Sequence, residues 1–132
     1  MDELFKKYIG KGYAHGGRGP ERFDCWGLLL AVYRDLGIAL WDLQGDYGPS
    51  EKWGHSHFIE NYFRDWDPID DPKPHDGVLF KNSFGIPVHA GVIVDEYHFI
   101  HAQRRTGVIL SRLWSRDWLN RIEGFYRVRA LA

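Results

Sequence analysis

The chain has little cysteine, little net charge and no long apolar run, and each shortage excludes something. A single cysteine, Cys25, among 132 residues rules out an intrachain disulfide, so no oxidative staple holds the fold. A formal net charge of −1 supplies no global basic field of the kind that holds nucleic acid. No segment reaches the apolar length needed to span a bilayer. The opening residues, Met1-Asp2-Glu3-Leu4-Phe5-Lys6-Lys7, lack the basic start and apolar stretch of a signal peptide. The expectation is a chain made in the cytoplasm without a leader, with no nucleic-acid partner and no membrane insertion. Repeats, low-complexity tracts and linkers are also lacking, so residues 1–132 read as a single domain.

What is present suits a globular domain with a real core: 44% hydrophobic and 16% aromatic residues. The six Trp serve cores and peptide- or sugar-binding clefts alike, so they do not discriminate. Charge is uneven. Residues 101–132 carry 7 basic and 2 acidic side chains against 10 and 16 in residues 1–100, which reads as the solvated face of a C-terminal sheet and helix.

Residues 2–9 predict a short amphipathic helix, and residues 10–22 a glycine-dense loop ending in Pro20. The clearest helix is 24–36. Cys25, Leu28, Leu29, Val32 and Leu36 share one face, Gly37 ends it, and Asp24 is its N-cap. Residues 41–54 read as loop and 57–66 as a further helix. Pro68, Pro72 and Pro74 exclude regular structure over 67–75. Short β-rich runs follow at 78–81, 88–94, 99–103, 108–111 and 123–129, with a helical turn near 115–120. Helices first and strands later predict an α+β domain, its antiparallel sheet packed on the early helices.

The chemistry centres on Cys25. In the first turn of a helix it meets unpaired N–H groups and the positive dipole end, which favour a thiolate. Its own N–H is placed to help hold an oxyanion. A thiolate needs a base, and His89 and His101 stand out among the seven His because both fall in predicted strands. His15, His55, His57, His75 and His98 read as surface histidines. Strand parity decides whether the pair can meet. A two-residue turn at Asp95-Glu96 sends His89 and His101 to opposite sheet faces. A three-residue loop, Asp95-Glu96-Tyr97, sets His101 opposite Gly91 and diagonal to His89 on the same side, with Gly91 leaving room. Cys25 as nucleophile, His89 as base and His101 as orienting residue therefore require an odd loop or a bulge.

Three segments resemble the NlpC-type cysteine peptidases, papain-like peptidoglycan hydrolases. The first is Tyr13-Ala14-His15-Gly16-Gly17 with Phe23-Asp24-Cys25-Trp26-Gly27-Leu28. The second is Pro74-His75-Asp76-Gly77-Val78-Leu79-Phe80, where the family usually has Pro-Gly-Asp. The third is His89-Ala90-Gly91-Val92-Ile93 with Phe99-Ile100-His101-Ala102. The resemblance implies N-terminal helices packed on a five- to six-stranded antiparallel sheet, with the nucleophile at a helix N-terminus. It implies cleavage of the γ-D-glutamyl–diamino acid bond in a peptidoglycan stem peptide. Tyr13, Asp24 and Trp26 are the residues it sets beside the substrate and its oxyanion, with Tyr13 over the nucleophile. Many family members carry Ser where this chain has Trp26, in a pocket that reads the stem's free amino end. Members encoded with phage and prophage tail proteins share the Trp, and residues 107–127 are similar to theirs. The implied partners are thus stem peptide and phage tail proteins.

Other readings are a Cys-His amidase or acyltransferase on another substrate, and a catalytically idle tail-assembly module. A metallohydrolase using His55, His57 and His89 lacks a paired-histidine helix motif, so neither metal nor cofactor is expected.

Overall fold

Asp24 opens the longest described helix. The computed structural model describes residues 2–42, 63 and 66–129. The first helix, α1 (Glu3–Lys6), is shorter than its amphipathic pattern predicts, and Asp2 caps it by accepting from the N–H of Leu4. The glycine-dense segment is not all loop. Its ends pair as two short parallel strands, β1 (Gly12–Tyr13) and β2 (Arg22–Phe23), so Tyr13 lies across from Phe23.

The helix that follows, α2 (Cys25–Asp35), is capped as expected: the Asp24 carboxylate accepts from the N–H of Gly27 at 2.7 Å. Gly37, at φ +82°, takes the left-handed turn that ends it. One apolar face was the expectation, but every residue from Trp26 to Tyr33 is buried. The helix is enclosed because Phe5, Tyr8, Phe23, Phe63 and Trp66 join the core around it. The helix expected over 57–66 lies outside the described residues except for Phe63 and Trp66, and Trp66 opens a strand instead.

That strand is β3 (Trp66–Ile69), and the sheet continues with β4 (Gly77–Lys81), β5 (Pro87–Ile93), β6 (His98–Gln103), β7 (Gly107–Arg112) and β8 (Ile122–Val128). Together they form a six-stranded antiparallel sheet in the order β3-β8-β4-β5-β6-β7. The exclusion of regular structure over 67–75 fails at β3. Pro68 lies opposite Tyr126 on the edge strand of the sheet formed by the described residues, and a residue without an N–H is tolerated at an edge. The expected helical turn is a 3-10 turn over Leu119–Arg121.

Both faces of the sheet are covered, so the central strands read as near-continuous apolar runs. Leu79, Ala90, Val92, Ile100 and Ala102 pack with Leu28, Leu29 and Val32 of α2 in one core. Their neighbours Val78, Phe80, Ile93 and Phe99 form a second core with Leu113 and Trp118 from the β7–β8 connection. Ahead of β4, the buried Asp76 receives a two-pronged Arg127 guanidinium at 2.8 and 2.7 Å and the Lys73 N–H at 2.7 Å. This ties the approach to β4 to its neighbour β8, the last strand in the sequence. His75, one residue earlier, sits at φ +80°. That left-handed backbone accounts for the Gly expected there from the resemblance.

Candidate active site

Cys25 is the first residue of α2, half-buried and free. A latch of loop and helix holds it. The Asp24 carboxylate accepts from the Gly27 N–H, from the Gly16 N–H at 3.1 Å and from Arg18 Nη1 at 2.8 Å. The Arg18 guanidinium also forks onto Asp42 at 2.9 Å. The Asp24 N–H donates to the Gly17 carbonyl at 3.1 Å. A Cβ on Gly27 would lie 2.0 Å from that carbonyl oxygen, so only glycine lets the loop rest on the first turn. Burial raises the Asp24 pKa against the pull of Arg18 and the two N–H donors.

The strands supply the histidines. β5 and β6 pair at Val92–Ile100 and Ile93–Phe99, and the turn is the three-residue loop that the parity argument requires. His101 thereby falls opposite Gly91. A Cβ there would lie 3.3 Å from that of His101 and 2.9 Å from the Ile100 carbonyl. The His89 Nε2 and His101 Nδ1 atoms are 2.7 Å apart. The β5–β6 ladder ends at Val92–Ile100, and the Ala90 backbone hydrogen-bonds the Cys25 thiol. This contact docks the sulfur beside the residue that follows His89.

The thiol does not behave as the helix terminus alone predicts. Burial first, then the Asp24 carboxylate, pushes its pKa up to about 12, while backbone hydrogen bonds from Ala90 and Trp26 and the Arg18 charge oppose the rise. Burial thus opposes the thiolate that the helix N-terminus favours.

Tyr13 is half-buried on β1, across from Phe23 and two residues before the cysteine in that register. Asp24 and Trp26, also expected beside the substrate, are packed into the scaffold. The Asp24 carboxylate is consumed by the latch and 4% exposed. The Trp26 ring is 1% exposed, packs edge-on against Phe63 and donates to the Trp41 carbonyl at 3.2 Å. Trp66 is core as well, and Trp53, His55 and His57 lie outside the described residues. Among the described residues no three His, Cys, Asp or Glu side chains converge on a metal-sized site, and no helix is long and apolar enough to cross a membrane.

The NlpC/P60 family model matches residues 10–127. The chain belongs to this family. It is 32% identical over 124 residues to a Listeria monocytogenes protein named "Probable endopeptidase p60", covering 93% of this chain and 22% of that one. It is 32% identical over 127 residues to a Bacillus subtilis protein named "Gamma-DL-glutamyl hydrolase", covering 92% and 27%. The chain thus spans about a quarter of the length of these curated relatives. Among solved structures, an NLP/P60 family protein of Staphylococcus aureus superposes with a TM-score of 0.67 at 25% identity, over 96% of this chain and 39% of that one.

Two contacts of this NlpC/P60 domain were not foreseen. Trp118 walls the histidine pair, its ring 5.8 Å from His89 in a stacked pose and 4.8 Å from His101 edge-on. The Arg121 guanidinium lies 4.5 Å above the same ring. Ser111 Oγ lies 2.8 Å from His101 Nε2. A polar residue after Val108-Ile109-Leu110 in an apolar strand was the available signal for Ser111. None in the sequence marked Trp118, whose approach depends on the β7–β8 connection.

His101 is 0% exposed, and burial, with the neighbouring His89 and Arg121 charges, drives its pKa down to about 2. The unfolded chain binds a proton there near pH 6.5 while the folded one does not. The stabilising contribution is therefore complete above about pH 6.5 and is lost as pH falls from there toward about 2, at up to about 1.4 kcal/mol per pH unit. Melting temperatures of wild type and His101→Asn measured from pH 8 to 4 check this. The wild type is expected to lose stability faster on acidification, and parallel curves would contradict it.

Proposed function

We propose that this domain is a cysteine peptidase that cuts peptidoglycan stem peptides between γ-D-glutamate and the diamino acid. The observation that carries the reading is the His89–His101 contact at 2.7 Å beside a cysteine at a helix N-terminus, in an NlpC/P60 chain. The endopeptidase name of the Listeria relative supports the peptidase class, and the glutamyl hydrolase name of the Bacillus relative supports the bond.

Each role follows from the chemistry of the group. With Nε2 of His89 committed to His101, Nδ1 is the nitrogen left for the thiol. His89 takes the Cys25 proton as sulfur attacks the peptide carbonyl, and the Cys25 N–H stabilises the oxyanion. The C–N bond breaks as His89 returns the proton to the leaving amine, and water then releases the acyl group from sulfur. His101 orients His89 throughout. Tyr13, on the strand beside the cysteine, assists the oxyanion or the substrate. The resemblance of Trp26 and of residues 107–127 to tail-encoded members supports a phage or prophage tail as the setting. Tail proteins would then carry the domain from the cytoplasm to the cell wall.

Purified protein and Cys25→Ala, each incubated with meso-diaminopimelate-type peptidoglycan, test the reading by mass spectrometry of the released fragments. Wild type is expected to release stem-peptide fragments, and the variant at least about a thousandfold less. Silence from both with Cys25 still labelled by a thiol probe points to another amide substrate. An inert Cys25 points to an assembly module.

A further inference from the structure

The chain of contacts does not stop at the two histidines. His89 Nε2 meets His101 Nδ1, and His101 Nε2 meets the Ser111 hydroxyl on β7. Among the described residues, the rings of Phe99, at 4.4 Å, and Trp118, at 4.8 Å, also pack on His101 and present carbon. The charged or titratable groups acting on it are His89 and Arg121. His101 is therefore a buried neutral ring with one N–H to place and one bare nitrogen to satisfy.

Two neutral imidazoles ending on a hydroxyl can be ordered in two self-consistent ways. In the first, Ser111 accepts from His101 Nε2–H, the bare Nδ1 of His101 accepts from His89 Nε2–H, and Nδ1 of His89 is left bare. In the second, Ser111 donates, every bond reverses, and Nδ1 of His89 carries the hydrogen. Only the first order leaves His89 able to receive a proton from a thiol. It is also the only order that persists once His89 is an imidazolium, which can donate to His101 but not accept from it. Ser111 is half-exposed, so its own hydrogen can turn toward solvent while a lone pair stays on His101.

We propose that Ser111 is a positioning residue that holds His101 as its Nε2–H tautomer and thereby keeps Nδ1 of His89 bare. Removing the hydroxyl leaves a buried Nε2–H with no acceptor among aromatic carbons. An unpaired N–H in such a place is costly, and His101 avoids it by moving its proton to Nδ1 and donating to His89. The order of the whole chain then reverses. The two contacts fit either order, so the choice between them, like its effect on turnover, rests on the Cys25–His89 reading above.

Nitrogen NMR of ¹⁵N-histidine-labelled wild type, Ser111→Ala and Ser111→Thr, at about pH 8 where ordinary histidines are neutral, reads each ring's protonated nitrogen directly. Wild type and Ser111→Thr are expected to show Nε2–H at both rings, and Ser111→Ala to show Nδ1–H. A wild-type His101 protonated at Nδ1, or no change in Ser111→Ala, overturns the proposal. Should Ser111→Ala fail to fold, Ser111→Cys supplies a near-isosteric weak acceptor and the same expected reversal. In stem-peptide hydrolysis kcat is expected to fall about tenfold in Ser111→Ala, the worth of one strong net hydrogen bond, with KM unchanged and Ser111→Thr restored. A fall in KM-linked binding with kcat intact would count against a positioning role. If the tautomers respond as expected but wild type cuts no wall peptide, the substrate reading fails and the Ser111 assignment stands.

Discussion

His89→Ala is expected to lower turnover of stem peptide by about three orders of magnitude while leaving the domain folded. The reason lies in the state of the nucleophile. Burial and the Asp24 carboxylate push the thiol up to about 12, against the pull of the helix N-terminus, so activating Cys25 in the proposed reaction calls for a base. In the proposed mechanism the proton passes to His89, oriented by its contact with His101, in the same step as attack. His101 serves through His89, so His101→Ala is expected to cost less activity than His89→Ala. Stopped turnover assays on a defined stem peptide, with far-ultraviolet dichroism to establish folding, check the order. Equal losses would make the pair a single unit, and a near-wild-type His89→Ala would remove it as the base. Raising the assay pH should partly rescue His89→Ala, because the solvent then takes over deprotonation of the thiol.

Gly27→Ala should destabilise the domain by about 3 kcal/mol, at the upper end for overpacking, and should abolish activity in whatever fraction folds. The added methyl carbon would lie 2.0 Å from the Gly17 carbonyl oxygen and 3.1 Å from Asp24 Oδ1. Neither neighbour is the loose end of a flexible side chain. The Gly17 carbonyl accepts from the Asp24 N–H, and the Asp24 carboxylate holds Gly27, Gly16 and Arg18. Relief therefore means lifting the loop off the first turn of α2, which unhooks the residue immediately before Cys25. Urea unfolding measures the loss, and thiol labelling reports the position of Cys25. A variant within about 0.5 kcal/mol of wild type, with normal activity, would mean that the latch yields without consequence.

The parts that were legible in the sequence are those set by local chemistry. Asp24 ahead of an apolar run is an N-cap wherever the helix packs, and Gly37 ends it by its own backbone freedom. β4 to β8 follow their apolar runs to within a residue or two because strand formation there needs only β-rich segments between turns. For His89 and His101 the sequence yields only the condition, an odd loop, because side chains alternate along a strand, and the fold supplies the three-residue loop that meets it. The parts that were not legible depend on what lies across the fold. Pro68 argues against a strand until the sheet order places it at an edge. Trp26 reads as a pocket residue until Phe63 and the Trp41 carbonyl enclose it.

The sequence by itself determined which residues are available for chemistry, which of them start a helix or sit on a strand, and what loop length two histidines need in order to share a sheet face. These properties are fixed by short-range sterics, capping and a period of two. Only the tertiary structure decided the state in which those residues meet. The raised pKa of the Cys25 thiol, the lowered pKa of His101 and its contact with Ser111 all arise from desolvation and from neighbours many residues away in the chain. Electrostatic energies depend on the whole surroundings of a group, and those surroundings exist only once the helix, the sheet and the β7–β8 connection have closed around it.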